Sequence, residues 1–326
     1  MKTPIVYTLI SSEKDYFLEE LWVSLYSLRQ FHPEVTVNVL VDESTKKYVE
    51  RFPELCGMIT NIVVVPVPEN YNAKQRSRVI KTTVRNVIDG VYLFIDTDTV
   101  ICKPLDDIDN LTCDIAAVPD GHLPLSECMF PPTNSVNKIF KTDVSDSKYW
   151  FNSGVMFVAD NELTRKFYKR WNENWTYSCF ENGQSQDQPA LLATDKEFGY
   201  IISELPGIYN AQVAMSLKYF ADAAIVHWWH MSFIENQDYS PFFSLQIYKD
   251  VKTAKGLTAD NKELIMHCKQ SFVSPTMPVG KEHIFFLFSP AGKIFNRIYK
   301  EGGAASFLMN KCATVLEKIH KYTRKK

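Results

Sequence analysis

Residues 91–104 read VYLFIDTDTVICKP, and this stretch limits the possible folds of the chain more than any other. Val91, Tyr92, Leu93, Phe94 and Ile95 form an unbroken run of β-branched, aromatic and aliphatic residues, the pattern of a strand covered on both faces. Asp96 and Asp98 follow at once, with Thr97 between them. Ionised carboxylates without partners are too costly to bury, so the pair belongs where the strand leaves the core, at its carboxyl edge. In an open α/β sheet that edge is the crevice where ligands bind. Two hard oxygen donors at this spacing suit Mg²⁺ or Mn²⁺ shared with a phosphate. A plainer reading has one Asp capping a turn and the other solvated in a loop. The apolar strand directly ahead of the pair is what raises the metal reading beside it.

The flanking patterns supply the rest of an α/β fold. Strands are expected over 5–10, 35–41 and 61–67. Between them, Leu18, Leu21, Trp22, Leu25 and Leu28 share one helical face, a short helix runs from 43 to 52, and Val79, Ile80, Val84, Val87 and Ile88 stripe a helix over 76–88. Such alternation builds a mainly parallel sheet with right-handed crossovers. A strand over 114–118 leads into residues 119–150, rich in Pro, Ser, Thr and Asn. That is longer than an irregular connection usually is unless it has a function. WFNSGVMFV, 150–158, places Asn, Ser and Gly at the head of another strand. Asn161 can cap the next helix, along which Leu163, Phe167, Trp171 and Trp175 form a ridge. Pro189 suits a first helical position, which sets Gln188 near the cap and Asp187 before it. Strands over 200–205 and 223–227 follow, the second ending in His227-Trp228-Trp229-His230. Beyond about residue 240 the pattern turns helical and basic, giving an expected catalytic domain over 1–240 and a helical extension over 241–326.

Composition narrows the function. The formal net charge of −2 argues against a nucleic-acid binder, although residues 281–326 carry ten Lys or Arg against three Glu. The seven cysteines are widely spaced and contain no CxxC, which fits reduced thiols in a cytoplasmic protein. The amino-terminal apolar run is too short for a signal-peptide core and reads as a strand, and no run approaches a membrane-spanning length. With no GxGxxG and no P-loop, a nucleotide's phosphates need another holder, and a metal on paired Asp would serve.

FIDTDTVICKPLDDI, FNSGVMFV, SQDQPALLA and AIVHWW occur in the order and rough spacing of the metal-dependent glycosyltransferases of the GT-A fold. The chain resembles most the retaining family that includes glycogenin and the bacterial lipopolysaccharide galactosyltransferases, over roughly residues 3–232. The resemblance implies a Rossmann-like mixed sheet, mainly parallel and flanked by helices. It implies Mn²⁺ (or Mg²⁺) on Asp96, Asp98 and His227, bridging the diphosphate of a UDP-sugar. Arg78, or Lys81 one turn later, matches a basic residue that contacts the donor, and Thr97 lies within the DxD. Asn152 and Ser153 match residues beside the donor sugar, and Asp187 and Gln188 match the pair at its reacting end. Leu9, Ile10 and Tyr16 fall in the loop that holds uracil and ribose. The implied reaction moves a hexose to a saccharide or lipid-linked acceptor. It proceeds through an oxocarbenium-like state, by front-face substitution or with Asp187 as a transient nucleophile.

The chain departs from that family where HWWHMSF lacks the glycine and lysine that usually follow the histidine. Two other functions compete. Asp96-Thr97-Asp98-Thr99 is also similar to the nucleophile motif of haloacid-dehalogenase-type phosphatases, with Asp96 attacking phosphate, although that motif usually ends the first strand of its domain. A catalytically silent sugar-nucleotide-binding protein is the other. Trp228, Trp229, Tyr149, Trp150 and Phe130 are candidates for stacking on acceptor sugars, and His230 reads as structural. The basic tail, with Phe285, Phe286, Phe288 and Phe307, suits peripheral binding to the anionic inner face of a membrane.

Overall fold

The computed structural model describes residues 1–128, 131–229, 240–272, 286–287 and 289–323. Phe130, His230, Phe285 and Phe288 lie outside the described residues. The chain divides into two compact units, Met1–Pro275 and Thr276–Lys326.

The larger unit is built on two sheets. Strands β1 (Ile5–Leu9), β2 (Val37–Val41), β3 (Asn61–Val64), β4 (Tyr92–Ile95), β6 (Ile115–Pro119), β7 (Phe151–Val158) and β8 (Ile202–Glu204) form the main sheet, in the order β3-β2-β1-β4-β7-β6-β8. Every neighbouring pair is parallel except those made by β7, which runs antiparallel to β4 and β6. Strands β5 (Thr99–Ile101), β9 (Ala211–Gln212) and β10 (Ile225–His227) form a second sheet in the order β5-β10-β9. Asp96 and Asp98 therefore sit in the link between two sheets, as β4 leaves one and β5 enters the other.

Residues alternate between two cores, as the pleat requires. Ile5, Tyr7, Leu9, Val39, Val41, Leu93 and Ile95 face the core that includes helix α1 (Phe17–Phe31). Val6, Leu40, Tyr92 and Phe94 face the core of α4 (Ala73–Val87) and α6 (Glu162–Asn182). Side chains that cap their own N-termini start both helices, Asn72 for α4 and Asn161 for α6. Phe167, Trp171 and Trp175 are fully buried, whereas Leu163 stays exposed, so the α6 ridge begins one turn later than its spacing implies. Helices α2 (Glu43–Val49) and α3 (Pro53–Cys56) follow β2, and α7 (Gln188–Glu197) packs beside α6.

Two expectations differ from the structure. The segment 119–150 contains helix α5 (Thr133–Phe140), anchored by buried Val136 and Ile139. Helices α8 (Gln246–Ala254) and α9 (Ala259–Met266) pack on α1 through Ile247, Tyr248, Val251 and Ile265, so residues 241–272 belong with the larger unit and the division falls later than 240. The smaller unit holds the helices Pro290–Glu301 and Gly303–Thr323.

Candidate active site

The pairing of strands gathers the site. His227 ends β10 opposite Thr99, the first residue of β5, so the imidazole arrives beside the second carboxylate of the DxD. Its Nε2 lies 3.1 Å from Asp98 Oδ1. One ligand atom each from Asp96, Asp98 and His227 lie within 4.8 Å of one another. The backbone fixes this corner: Asp96 N–H donates to the Gly154 carbonyl at 2.7 Å, and Trp228 N–H to the Asp98 carbonyl at 3.0 Å. The Thr97 hydroxyl is directed at the buried Glu20 carboxylate, 3.4 Å away.

Register breaks where the next residues are needed. Along β6 the partner jumps from Met156 at Ala117 to Asn152 at Val118, an irregularity of the kind that re-aims side chains beside active sites. A run of directed hydrogen bonds follows. Gly154 N–H donates to Asn152 Oδ1 at 2.9 Å, so the Asn152 amide nitrogen turns the other way and donates to Asp120 Oδ1 at 2.9 Å. Asn210 Nδ2 also donates to Asn152 Oδ1, at 2.9 Å, which leaves Asn210 Oδ1 facing His227 Nδ1 at 2.8 Å. An amide oxygen only accepts, so Nδ1 carries a proton, and Nε2, beside Asp98, is the nitrogen left to ligate a metal.

A second group of side chains is held by ion pairs. Arg78 and Lys81 are three apart on α4 and share one face. Lys81 is buried and donates to both oxygens of Asp96, at 2.9 and 3.0 Å. Arg78 Nε lies 2.9 Å from Asp187 Oδ1, and Ser153 Oγ donates to Asp187 Oδ2 at 2.8 Å. The Asp187 side chain makes no capping bond to α7 and is held instead by Arg78 and Ser153. Gln188 Nε2 donates to Asp120 Oδ1 at 3.0 Å.

Burial and neighbours separate these carboxyls. Burial pushes Asp96 up against the pull of Lys81, with the Asp98 charge adding to the rise. Burial also raises Asp120, against hydrogen bonds from Asn152 and Gln188. Burial would raise Asp187 too, but Arg78, Lys81 and the Ser153 hydroxyl outweigh it and hold the group down at about 2.

Elsewhere the predicted residues fare unevenly. Leu9 is buried in the core, so only its backbone can face a ligand. Ile10 lines a hollow with Ser11, Ser12, Asp15, Ser44 and Tyr48. Tyr16 is half-buried, with the Lys252 ammonium 5.0 Å from its ring centre. Trp228 is 1% exposed and stacks on Phe242 at 4.6 Å, which removes it from the acceptor-stacking candidates, while Tyr149, Trp150 and Trp229 remain half-buried.

The sequence profile described as Glycosyl transferase family 8 matches residues 8–232. The chain belongs to glycosyltransferase family 8. Among solved structures, the bifunctional glycosyltransferase WbbM aligns at a TM-score of 0.52 and 13% identity, covering 84% of this chain, which spans 52% of that one. The galactosyltransferase LgtC, in complex with donor and acceptor sugar analogs, aligns at 0.49 and 15% identity, covering 84% of this chain and 98% of its own. The glycosyltransferase GlyE of Streptococcus pneumoniae TIGR4 aligns at 0.49 and 14%, covering 85% and 67%. No curated protein matches the chain in sequence.

Members of this family are glycosyltransferases that use nucleotide-sugar donors, and the mixed sheet of this chain is that of the GT-A fold. Its residues fit the divalent metal such enzymes typically use. The donor set of carboxylates and imidazole suits a hard or borderline cation. Among the described residues named above, the three carboxylates of Asp96, Asp98 and Asp187 face the two cations Arg78 and Lys81, and a divalent ion would offset the excess of negative charge. The phosphatase reading loses its footing, since the DxD follows the fourth strand.

Three members of the arrangement escaped the sequence reading. Asp120 follows β6 as Asp96 follows β4, so an acid at the carboxyl end of an apolar strand was the available signal. Asn210 sits in a short turn before β9 and carries no pattern of its own. Gly154 stood inside a quoted motif, but its closeness to His227 depends on the pairing of strands distant in sequence.

Proposed function

We propose that this enzyme transfers a hexose from a UDP-sugar to a saccharide or glycolipid acceptor, depends on Mn²⁺, and retains the anomeric configuration. The observation that carries this reading is the side-by-side placement of the Asp96–Asp98–His227 cluster and the Asp187–Gln188–Asp120 group, bridged by Lys81, which pairs with Asp96 and lies 4.0 Å from Asp187.

Asp96, Asp98 and His227 would hold Mn²⁺ (or Mg²⁺), which when bound supplies Lewis-acid stabilisation of the diphosphate leaving group. The protein residues do the rest. Arg78 and Lys81 place positive charge beside that group. Leu9 through its backbone, with Ile10 and Tyr16, would seat uracil and ribose, and Thr97 lies between the ligands. Asn152 and Ser153 flank the sugar. Asp187, held ionised, lies where positive charge develops at the anomeric carbon, and Gln188, whose nitrogen is spent on Asp120, offers its carbonyl oxygen. A carboxamide is a weak nucleophile, which supports front-face substitution.

The smaller unit adds a second proposed partner. Among the described residues no helix is long and apolar enough to cross a membrane. Yet Ile294, Phe307, Leu308, Val315 and Leu316 are exposed beside Lys293, Arg297, Lys311 and Lys318. Amphipathic basic helices of this kind rest on anionic lipid, which supports a peripheral place on the inner membrane face, where a lipid-linked acceptor would be met.

The test is hydrolysis of a panel of sugar nucleotides, with and without Mn²⁺, by the wild type and Asp98→Asn. Slow Mn²⁺-dependent release of UDP from one donor, lost in the variant, is expected and names the sugar. Nucleotide binding without turnover by any donor would favour a silent binding protein instead.

A further inference from the structure

Cys102 and Cys268 are 166 residues apart in sequence, yet their sulfurs lie 3.4 Å apart. Cys102 follows β5 directly and is half-buried; Cys268 opens a short turn after α9 and is 1% exposed. Both are tied to the same loop. Cys102 N–H donates to the Ala224 carbonyl at 2.7 Å. The Lys269 ammonium, next to Cys268, donates to the Ala221 and Ala223 carbonyls at 3.0 and 2.9 Å. The loop that leads into β10 therefore holds the two thiols against each other from both sides. A bonded separation of about 2.05 Å asks the two sulfurs to approach by a further ~1.4 Å.

We propose that Cys102 and Cys268 form a dithiol that closes to an intramolecular disulfide on exposure to a small-molecule disulfide, cross-linking the sheet that carries His227, which Asp98 adjoins, to the segment after α9.

The two sulfurs have unequal roles. A hydrogen bond from Cys268 lowers the Cys102 thiol, against its burial, and Lys269 and Lys103 add to the lowering. The same contact, with burial, raises Cys268. The half-buried Cys102 is thus the sulfur that becomes thiolate and meets the oxidant. Its thiolate attacks one sulfur of the small disulfide, forming a mixed disulfide and releasing one thiolate. Cys268 then gives up its proton, attacks the Cys102 sulfur and releases the second thiolate. Two protein thiols are oxidised to one disulfide and one small disulfide is reduced to two thiols. The product ties the end of β5 to the segment after α9, while the other end of the β5–β10 pair presents Asp98 and His227, so the oxidised chain holds that corner more rigidly.

The test treats the full-length protein with oxidised glutathione, alkylates the remaining thiols and maps peptides without reduction. One Cys102–Cys268 cross-linked peptide is expected, the titratable thiols falling by two from the seven of the sequence. The thermal midpoint of the oxidised wild type should rise by about 5 °C or more, with no rise for Cys268→Ser treated alike. Recovery of Cys102 and Cys268 as alkylated thiols, or as separate glutathione adducts, would overturn the proposal. So would a cross-link that lowers the midpoint, because that would mean the closed bond strains the fold.

Discussion

A methyl group on Gly154 would lie 2.4 Å from His227 Cε1 and 2.9 Å from its Nδ1. The imidazole therefore occupies the space that any side chain at 154 would need. The same methyl would press on Asn152 Oδ1 at 2.8 Å, the oxygen that orients the hydrogen-bond run. Gly154→Ala should thus fold and yet tilt the ring away from Asp98. Mn²⁺ affinity measured by titration calorimetry should fall by about 10–100-fold. An unchanged affinity would show that the ring has room to retreat with its Nε2 still in place.

Asn210 tests the same ring from the other side. Its oxygen holds the proton on His227 Nδ1, so Asn210→Ala frees the ring to change tautomer and orientation. Mn²⁺ binding should weaken by about 10-fold or more. Asn210→Asp keeps an acceptor toward Nδ1 and loses only the donor to Asn152, so it should bind Mn²⁺ close to wild type. The nitrogen chemical shifts of His227 in the metal-free protein supply an independent readout: Nδ1 protonated in wild type and Asn210→Asp, mixed tautomers in Asn210→Ala.

What the sequence disclosed and what it hid divide along one line. The strands were legible because buried parallel strands are written as continuous apolar runs. The placement of Asp96 and Asp98 in one cluster with His227 was legible because acids sit where such runs end. Asp120 carried the same signal and was passed over, whereas Asn210 and the space at Gly154 are products of strand order, which brings residues 152, 154, 210 and 227 together. No local pattern encodes that. Helix α5 was missed because two buried residues, Val136 and Ile139, are too few to set a period among prolines and polar residues. Helices α8 and α9 were taken for a basic extension because lysines alternate with the residues that bury Tyr248 and Val251 against α1.

Arg78→Met should produce a loss that depends on pH. Burial alone would raise Asp187, and Arg78 is the larger of the two cations' effects opposing it. Without the guanidinium the carboxyl returns toward its buried, protonated form, so a larger share of the enzyme is inactive as pH falls. Donor hydrolysis by the variant should be reduced at every pH through the lost contact beside the diphosphate, by about 10–100-fold. The deficit should widen between pH 8 and pH 5.5. A constant ratio across that range would mean that Lys81 and Ser153 suffice to keep Asp187 ionised.

Asp195 gives the opposite sign in stability. Burial pushes it up to about 7, although its carboxylate accepts the Ile202 backbone N–H at 3.1 Å. Below about pH 4 the carboxyl is protonated in the folded and unfolded chains alike. From about pH 4 to 7 only the unfolded chain ionises, so this group removes stability as pH rises, and above 7 the loss levels off. Asp195→Asn keeps an oxygen for Ile202 and cannot ionise. Its thermal midpoint should match wild type near pH 4 and exceed it increasingly up to pH 7. Parallel curves would show that the Asp195 carboxyl titrates in its ordinary range.

The smaller unit supplies the last prediction. Each Lys or Arg near an anionic surface contributes about 1 kcal/mol, and the exposed Phe307, Leu308, Val315 and Leu316 can enter the headgroup layer. Deleting residues 276–326 should therefore abolish co-sedimentation with vesicles containing phosphatidylglycerol while leaving Mn²⁺-dependent donor hydrolysis intact, since the site is built within Met1–Pro275. Lys293→Glu with Arg297→Glu should weaken vesicle binding steeply at low salt, whereas Leu308→Asp with Leu316→Asp should weaken it at every salt concentration, because salt screens charge and leaves apolar insertion untouched. Vesicle binding that survives the deletion would assign any membrane contact to the larger unit.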